Sequence, residues 1–316
     1  YLRLLIMMIY SFSLYMPKVT FSLPKNIKSI LTYSFYIFLA GSAASILIDI
    51  DKFMIPQKEA ISQTAFYAVA VFIATVVEIP GRAMFQILNP LVAKSLNENN
   101  ITELNSLYTK SSINLLIIAG LFFLLININI EPFYELMLNS SYGDAIWVVL
   151  MISISKLILM SFGCGPAILA TAKFYKITLP FSILMAISVY FLNDILIDIY
   201  SINGAALSTL IVVALFTLIK VIYIKFKLNI IPYSVQSIKV LAIIVLIFLL
   251  FADKDGDGSA IYFLFKNQDL ELSNIIKITL NSILVSILYM FMIYKSKSSE
   301  SINTFINNLL GGNFRF

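Results

Sequence analysis

The chain has 316 residues, 60% of them hydrophobic and only 12% charged, with a mean hydropathy of +0.92. That leaves too little polar material to cover a soluble domain. The sequence has no histidine, which excludes His-based hydrolases and zinc enzymes, and its single cysteine, Cys164, cannot form an internal disulfide.

The net charge of +5 could suggest nucleic acid, but the lysines cluster in particular loops, so membrane topology explains it better and no nucleic-acid partner is expected. Nine apolar runs punctuate the chain, most of them close to the length of about 20 residues that crosses the hydrocarbon core as a helix. The predicted spans are residues 1–16, 29–50, 63–92, 108–130, 145–171, 177–193, 204–226, 235–252 and 274–294. The fold class is therefore all-α, a polytopic transmembrane helical bundle. Tyr1 already lies inside an apolar run with no charged leader or cleavage site, so this run is read as a span rather than a signal peptide. The expectation is a larger protein whose front precedes Tyr1.

The loops sort by charge. One set carries Lys18, Lys25 and Lys28, then Lys173 and Lys176, then Lys220, Lys225 and Lys227, then Lys295, Lys297 and Arg315. The other carries Glu131, Glu135 and Asp144, then Asp194 and Asp198, then Asp253, Asp255, Asp257, Asp269 and Glu271. The sets alternate, and positive short loops stay cytoplasmic, so the first span runs inward and the C-terminus is inside. No loop has room for a folded domain.

Within the third span, Thr75, Glu78, Arg82, Gln86 and Asn89 recur at spacings of three or four, which predicts one polar helical face. Glu78 precedes Arg82 by four residues, the favourable order for an intrahelical ion pair. Arg82 lies roughly 15 Å from the inner end at about 1.5 Å per residue. A charge at the bilayer centre costs about 2.5–3.5 kcal/mol on insertion scales, so this face should point into the bundle or a watery cavity. It is either a brace within the bundle or a cavity lining used by solute.

In the fifth span, Lys156 has no acid three or four residues away, so its partner is another helix, water or an anionic solute. Ser42, Ser45, Asp49 and Lys52 form a stripe near the outer end of the second span, with Asp51 beside it, and read first as a solvated interfacial cluster. The residues from Asp253 to Gly258 begin like a calcium loop, but position 12 is Leu264 where a bidentate Glu is needed, so an acidic external turn is the better reading. No catalytic group, metal site or cofactor site follows from the sequence.

Several short pieces then fall in a suggestive order. They are Ile48–Ile55 (IDIDKFMI), Ala65–Ala70 (AFYAVA), Ile79–Ala83 (IPGRA), Leu88–Pro90 (LNP), Tyr108–Ser112 (YTKSS) and Asn203–Ala206 (NGAA). Over residues 29–230 the chain resembles the Wzx-type oligosaccharide flippases of the multidrug/oligosaccharidyl-lipid/polysaccharide superfamily. The resemblance implies about fourteen helices in two lobes, of which this chain would hold the last nine. Residues 1–16 would close the N-terminal lobe, 17–28 would be a cytoplasmic linker and 29–226 the six-helix C-terminal lobe. Residues 235–294 would be an additional helix pair and 295–316 a cytoplasmic tail.

The implied activity is movement of an undecaprenyl-diphosphate-linked oligosaccharide across a bacterial inner membrane for O-antigen, capsule or exopolysaccharide synthesis, by alternating access. The implied partners are that lipid-linked oligosaccharide, membrane lipid and a coupling ion (proton or sodium). Arg82 and Lys156 are the residues expected to attract the diphosphate, with Glu78, Gln86, Asn89, Asp49 and Asp51 completing the candidate pathway. No bond is made, so no enzyme is implied. The alternatives are an ion-coupled exporter of drugs or other small molecules on the same fold, and a membrane polymerase or ligase of polysaccharide assembly.

Overall fold

A computed structural model describes residues 2–15, 26–137, 143, 145–171, 174–251 and 274–310. The expected cytoplasmic linker (for the most part), Asp144, Lys173, the calcium-like turn at 253–258 and Arg315 lie outside the described residues. Among the described residues every regular element is helical and none is a strand. In chain order they are α1 (Leu2–Tyr15), α2 (Ile27–Lys58), α3 (Ile61–Thr75), α4 (Ile79–Asn97), α5 (Ile101–Met137) and α6 (Ile146–Ser161). There follow α7 (Gly165–Ala170), α8 (Thr178–Tyr200), α9 (Ile202–Leu228), α10 (Val235–Phe251), α11 (Asn274–Ser296) and α12 (Glu300–Leu310).

Among the described residues five segments are long and apolar enough to cross a membrane: 61–97, 101–137, 175–200, 202–228 and 274–296. Of two shorter apolar helices among the described residues, α10 matches the eighth predicted span, whereas α6 covers only the first part of the fifth, which a turn at 162–164 breaks before α7. The chain is thus an all-α, membrane-type protein. The expected 63–92 span is one stretch of two helices, α3 and α4, joined by a 3-10 turn over Val76–Glu78. Lys220, assigned to a loop by charge, sits inside α9, which runs on to Leu228. There Asn229 adopts the left-handed conformation (φ 56°) that closes a helix, and Lys225 and Lys227 face the negative end of the helix dipole.

Lipid tails are as apolar as leucine, so packing, small residues and interhelical hydrogen bonds must hold such helices together. The long α5 is the hub. Its Leu116, Ala119, Phe123 and Leu124 pack with Val240, Ile244 and Ile247 of α10 and with Val285 and Tyr289 of α11. The buried Tyr289 hydroxyl donates to the Ile117 carbonyl at 2.8 Å, and Asn129 Nδ2 donates to Ser282 Oγ at 3.2 Å. A second core gathers Met54 and Ile55 of α2, Tyr67, Ala70 and Ala74 of α3, Val148 and Ile152 of α6, and Ala205 and Ala206 of α9. α8 packs between α2 and α9. The α8–α9 turn demands a glycine: a Cβ on Gly204 would run into the Leu196 carbonyl.

This packing gives the bundle two ends. One carries Lys58, Ile61, Tyr200 and Ile202; the other carries Ile27, Asn97, Ala170 and Leu228.

Candidate functional site

Glu78 is the last residue of the 3-10 turn that interrupts the 61–97 stretch, and Pro80 follows in the first turn of α4. Proline costs nothing there, because the first N–H groups of a helix have no intrahelical partner. The turn packs against both α5 and α6. The buried Gly81 faces α6, where a Cβ would stand 2.5 Å from Sδ of the flexible Met160 side chain. Glu78 is therefore held against α6 rather than free on a continuous face.

That placement answers the question raised by Lys156. Its ammonium donates to Glu78 Oε2 at 2.8 Å, while Arg82 Nη2 donates to Glu78 Oε1 at 3.0 Å. One carboxylate stands between two cations, which leaves one positive charge over. The side chains of Lys156 and Glu78 are 16% and 21% exposed, whereas that of Arg82 is 70% exposed. Lys156 is thus committed to Glu78, and the surplus charge is presented by Arg82. Ser153, one turn before Lys156, is buried, and its hydroxyl has no hydrogen-bond partner among the described residues.

The five-residue polar face is divided by the 3-10 turn. Thr75 and Glu78 are half-buried, while Arg82, Gln86 and Asn89 are exposed on α4. Arg82 is therefore directed out of the described bundle, not into it. Asn89 borders a cavity of about 800 Å³ beside the start of α2 and α7.

The reading of Asp49 and Asp51 as one solvated cluster is corrected in half. Asp49 is exposed and pairs with Lys52 at 2.9 Å. Asp51 is 3% exposed and enclosed by α2, α3, α8 and α9. The helical period explains the difference, because residues two apart point to nearly opposite faces. Asp51 accepts hydrogen bonds from the Tyr67 hydroxyl, from Asn193 Nδ2 at 2.6 Å and from Thr209 Oγ1 at 3.0 Å. Ser208 donates to Asn193 Oδ1 behind them. Among the described residues the three donors to Asp51 are uncharged, and the neighbouring Lys52 ammonium is bonded to Asp49 instead.

Tyr67, Asn193, Ser208 and Thr209 were not recognised from the sequence. A signal existed: Asp51, Tyr67, Asn193 and Thr209 each lie about two turns inside the Lys58 end of their helices, so they share a depth. Closer to that end, Lys58 ion-pairs with Asp194 at 2.7 Å and Asp198 at 3.0 Å, fastening α2 to α8. Cys164 is buried at the α6–α7 turn, where its N–H donates to Ser111 Oγ at 2.9 Å.

Comparison with known proteins adds no relative: no family model, no curated protein and no solved structure matches the chain.

Proposed function

We propose that the chain is part of an exporter that moves a lipid-linked oligosaccharide, of the undecaprenyl-diphosphate type, across a bacterial inner membrane by alternating access. In this reading all nine apolar segments cross the bilayer, the lysine-rich loops and the C-terminus are cytoplasmic, and α2 to α9 form one lobe of a two-lobed carrier. It transports and makes no bond. The observation that carries the reading is Arg82. It is a guanidinium near the middle of an apolar 37-residue stretch, exposed, and left with the net charge of a partly buried ion cluster. Charges at that depth serve a pathway or a partner, and a guanidinium fork suits phosphate oxygens.

The test is transport of a fluorescent undecaprenyl-diphosphate oligosaccharide in proteoliposomes of the full-length protein. Arg82→Ala should slow flipping about tenfold, the scale of one charge-assisted contact, while insertion stays normal. Failure of the wild-type protein to move the lipid, with the vesicles otherwise sound, would end the reading.

A second reading, an ion-coupled exporter of small molecules on the same fold, is favoured by Asp51. Among the described residues this buried carboxylate is bonded only to neutral donors, with Lys52 bonded to Asp49 instead, and a proton or a sodium ion would supply the missing direct countercharge. Asp51 is also the residue we assign to a coupling ion in the first reading. Flux of a cationic dye, lost in Asp51→Asn, with no flipping of lipid-linked sugar would favour the second.

A further inference from the structure

The cavity of about 800 Å³ at the Asn97 end lies between the start of α2, the last turns of α4, and α7 with the 3-10 turn that follows it. It falls within the range of roughly 300–1,000 Å³ typical of pockets that enclose small ligands. Its walls are mostly apolar: Ile30, Leu96 and Pro166 with small alanines, and the aromatic rings of Tyr33, Phe85 and Tyr175. Ser29, Asn89, Asn97 and Thr171 supply hydroxyls and amides. None of the described residues that line it is Asp, Glu, Lys or Arg.

The aromatic wall is preformed. The Tyr33 hydroxyl donates to the Ala170 carbonyl at 3.0 Å, which fixes its ring. Tyr175 stands edge-to-face with Tyr33 at 5.0 Å and with Tyr36 at 5.6 Å between centroids. Asn89 and Asn97 are exposed, so their amides are accessible.

We propose that this cavity binds a neutral sugar ring. A pyranose has one face of weakly positive C–H groups, which the electron-rich face of an aromatic ring attracts. Its rim of hydroxyls both donates and accepts, which is what an amide does in turn. Among the described lining residues an ionic ligand would find no countercharge, and a purely apolar one would leave the amides unpaired. The proposal rests on the exporter reading for the biological ligand, a sugar of the exported unit. Along α4, Asn89 is about 10 Å from Arg82 at about 1.5 Å per residue. A sugar in the cavity could therefore carry an attached phosphate toward the Arg82 guanidinium.

The experiment is saturation-transfer NMR on the full-length protein in lipid nanodiscs, which avoid sugar detergents. The probes are methyl glycosides of glucose, galactose, rhamnose and N-acetylglucosamine, with mannitol as an open-chain control and tetraphenylphosphonium as an apolar cation. At least one glycoside should show transfer that mannitol does not. Tyr175→Ala should weaken it about three- to tenfold, the scale of one aromatic contact. Asn89→Leu and Asn97→Leu, at exposed positions that spare the fold, should weaken it similarly, and Ser62→Ala, exposed at the opposite end of the 61–97 stretch, should leave it unchanged.

Absence of transfer to every glycoside, transfer that all three cavity variants preserve, or Tyr175-dependent transfer to tetraphenylphosphonium alone would each overturn the proposal. The two readings separate cleanly. Sugar binding without flipping of lipid-linked oligosaccharide defeats the exporter and leaves the cavity standing. Flipping without cavity-dependent sugar binding does the reverse.

Discussion

Glu78→Gln is the most informative perturbation of the ion cluster. It keeps the side-chain volume and removes the charge that two cations share. Lys156 then keeps an ammonium that is only 16% exposed, with its 2.8 Å partner neutralised. Removing one member of a fully buried pair costs about 3–5 kcal/mol. The residual exposure of both side chains lowers that toward the roughly 1.5–3 kcal/mol of one charge-assisted hydrogen bond. Arg82 contributes little to this sum, because exposed pairs are worth about 0–1 kcal/mol. The expected loss of stability for Glu78→Gln is therefore about 2–3 kcal/mol, and for Arg82→Ala less than about 1.

Reversible unfolding in mixed micelles would measure it, as a double-mutant cycle with Lys156→Met. The double variant should be less destabilised than the two single costs combined, with a coupling above about 1 kcal/mol. Additive effects within about 0.5 kcal/mol would refute the reasoning. Transport should rank the variants in the opposite sense, with Arg82→Ala impairing flipping most for the least stability lost.

Asp51→Ala should destabilise by roughly 1–3 kcal/mol, because it strands buried donors on Tyr67, Asn193 and Thr209; Asp51→Asn should be milder, and equal losses in a melting assay would contradict the network. Tyr289→Phe should cost about 0.5–1.5 kcal/mol through the lost bond to Ile117, read as a lower unfolding midpoint, and no change would remove that bond from the account of how α11 is held. In a Cys164→Ala background, cysteines placed at the exposed Ser62 and Glu98 should be labelled from opposite sides of the membrane, Glu98→Cys from the cytoplasm; labelling of both from one side would overturn the topology.

Much of the fold was determined by the sequence alone. Apolar runs near the bilayer thickness leave a chain few choices but helices, because every backbone donor and acceptor must be satisfied within its own segment. Local chemistry was legible for the same reason: Glu78 and Arg82 are one turn apart, so their pairing needs no knowledge of other helices. What lies across helices was not legible. That Lys156 belongs to Glu78 depends on the 3-10 turn that packs against α6. That Asp51 is enclosed while Asp49 is exposed depends on which face of α2 meets α3, α8 and α9. Side-chain partners over such separations follow from helix packing, which periodicity constrains to a face but not to a neighbour. The tertiary structure decided those partners. It turned a line of polar residues into one ion cluster with an exposed guanidinium, one sealed carboxylate and one cavity whose described lining carries no charged side chain.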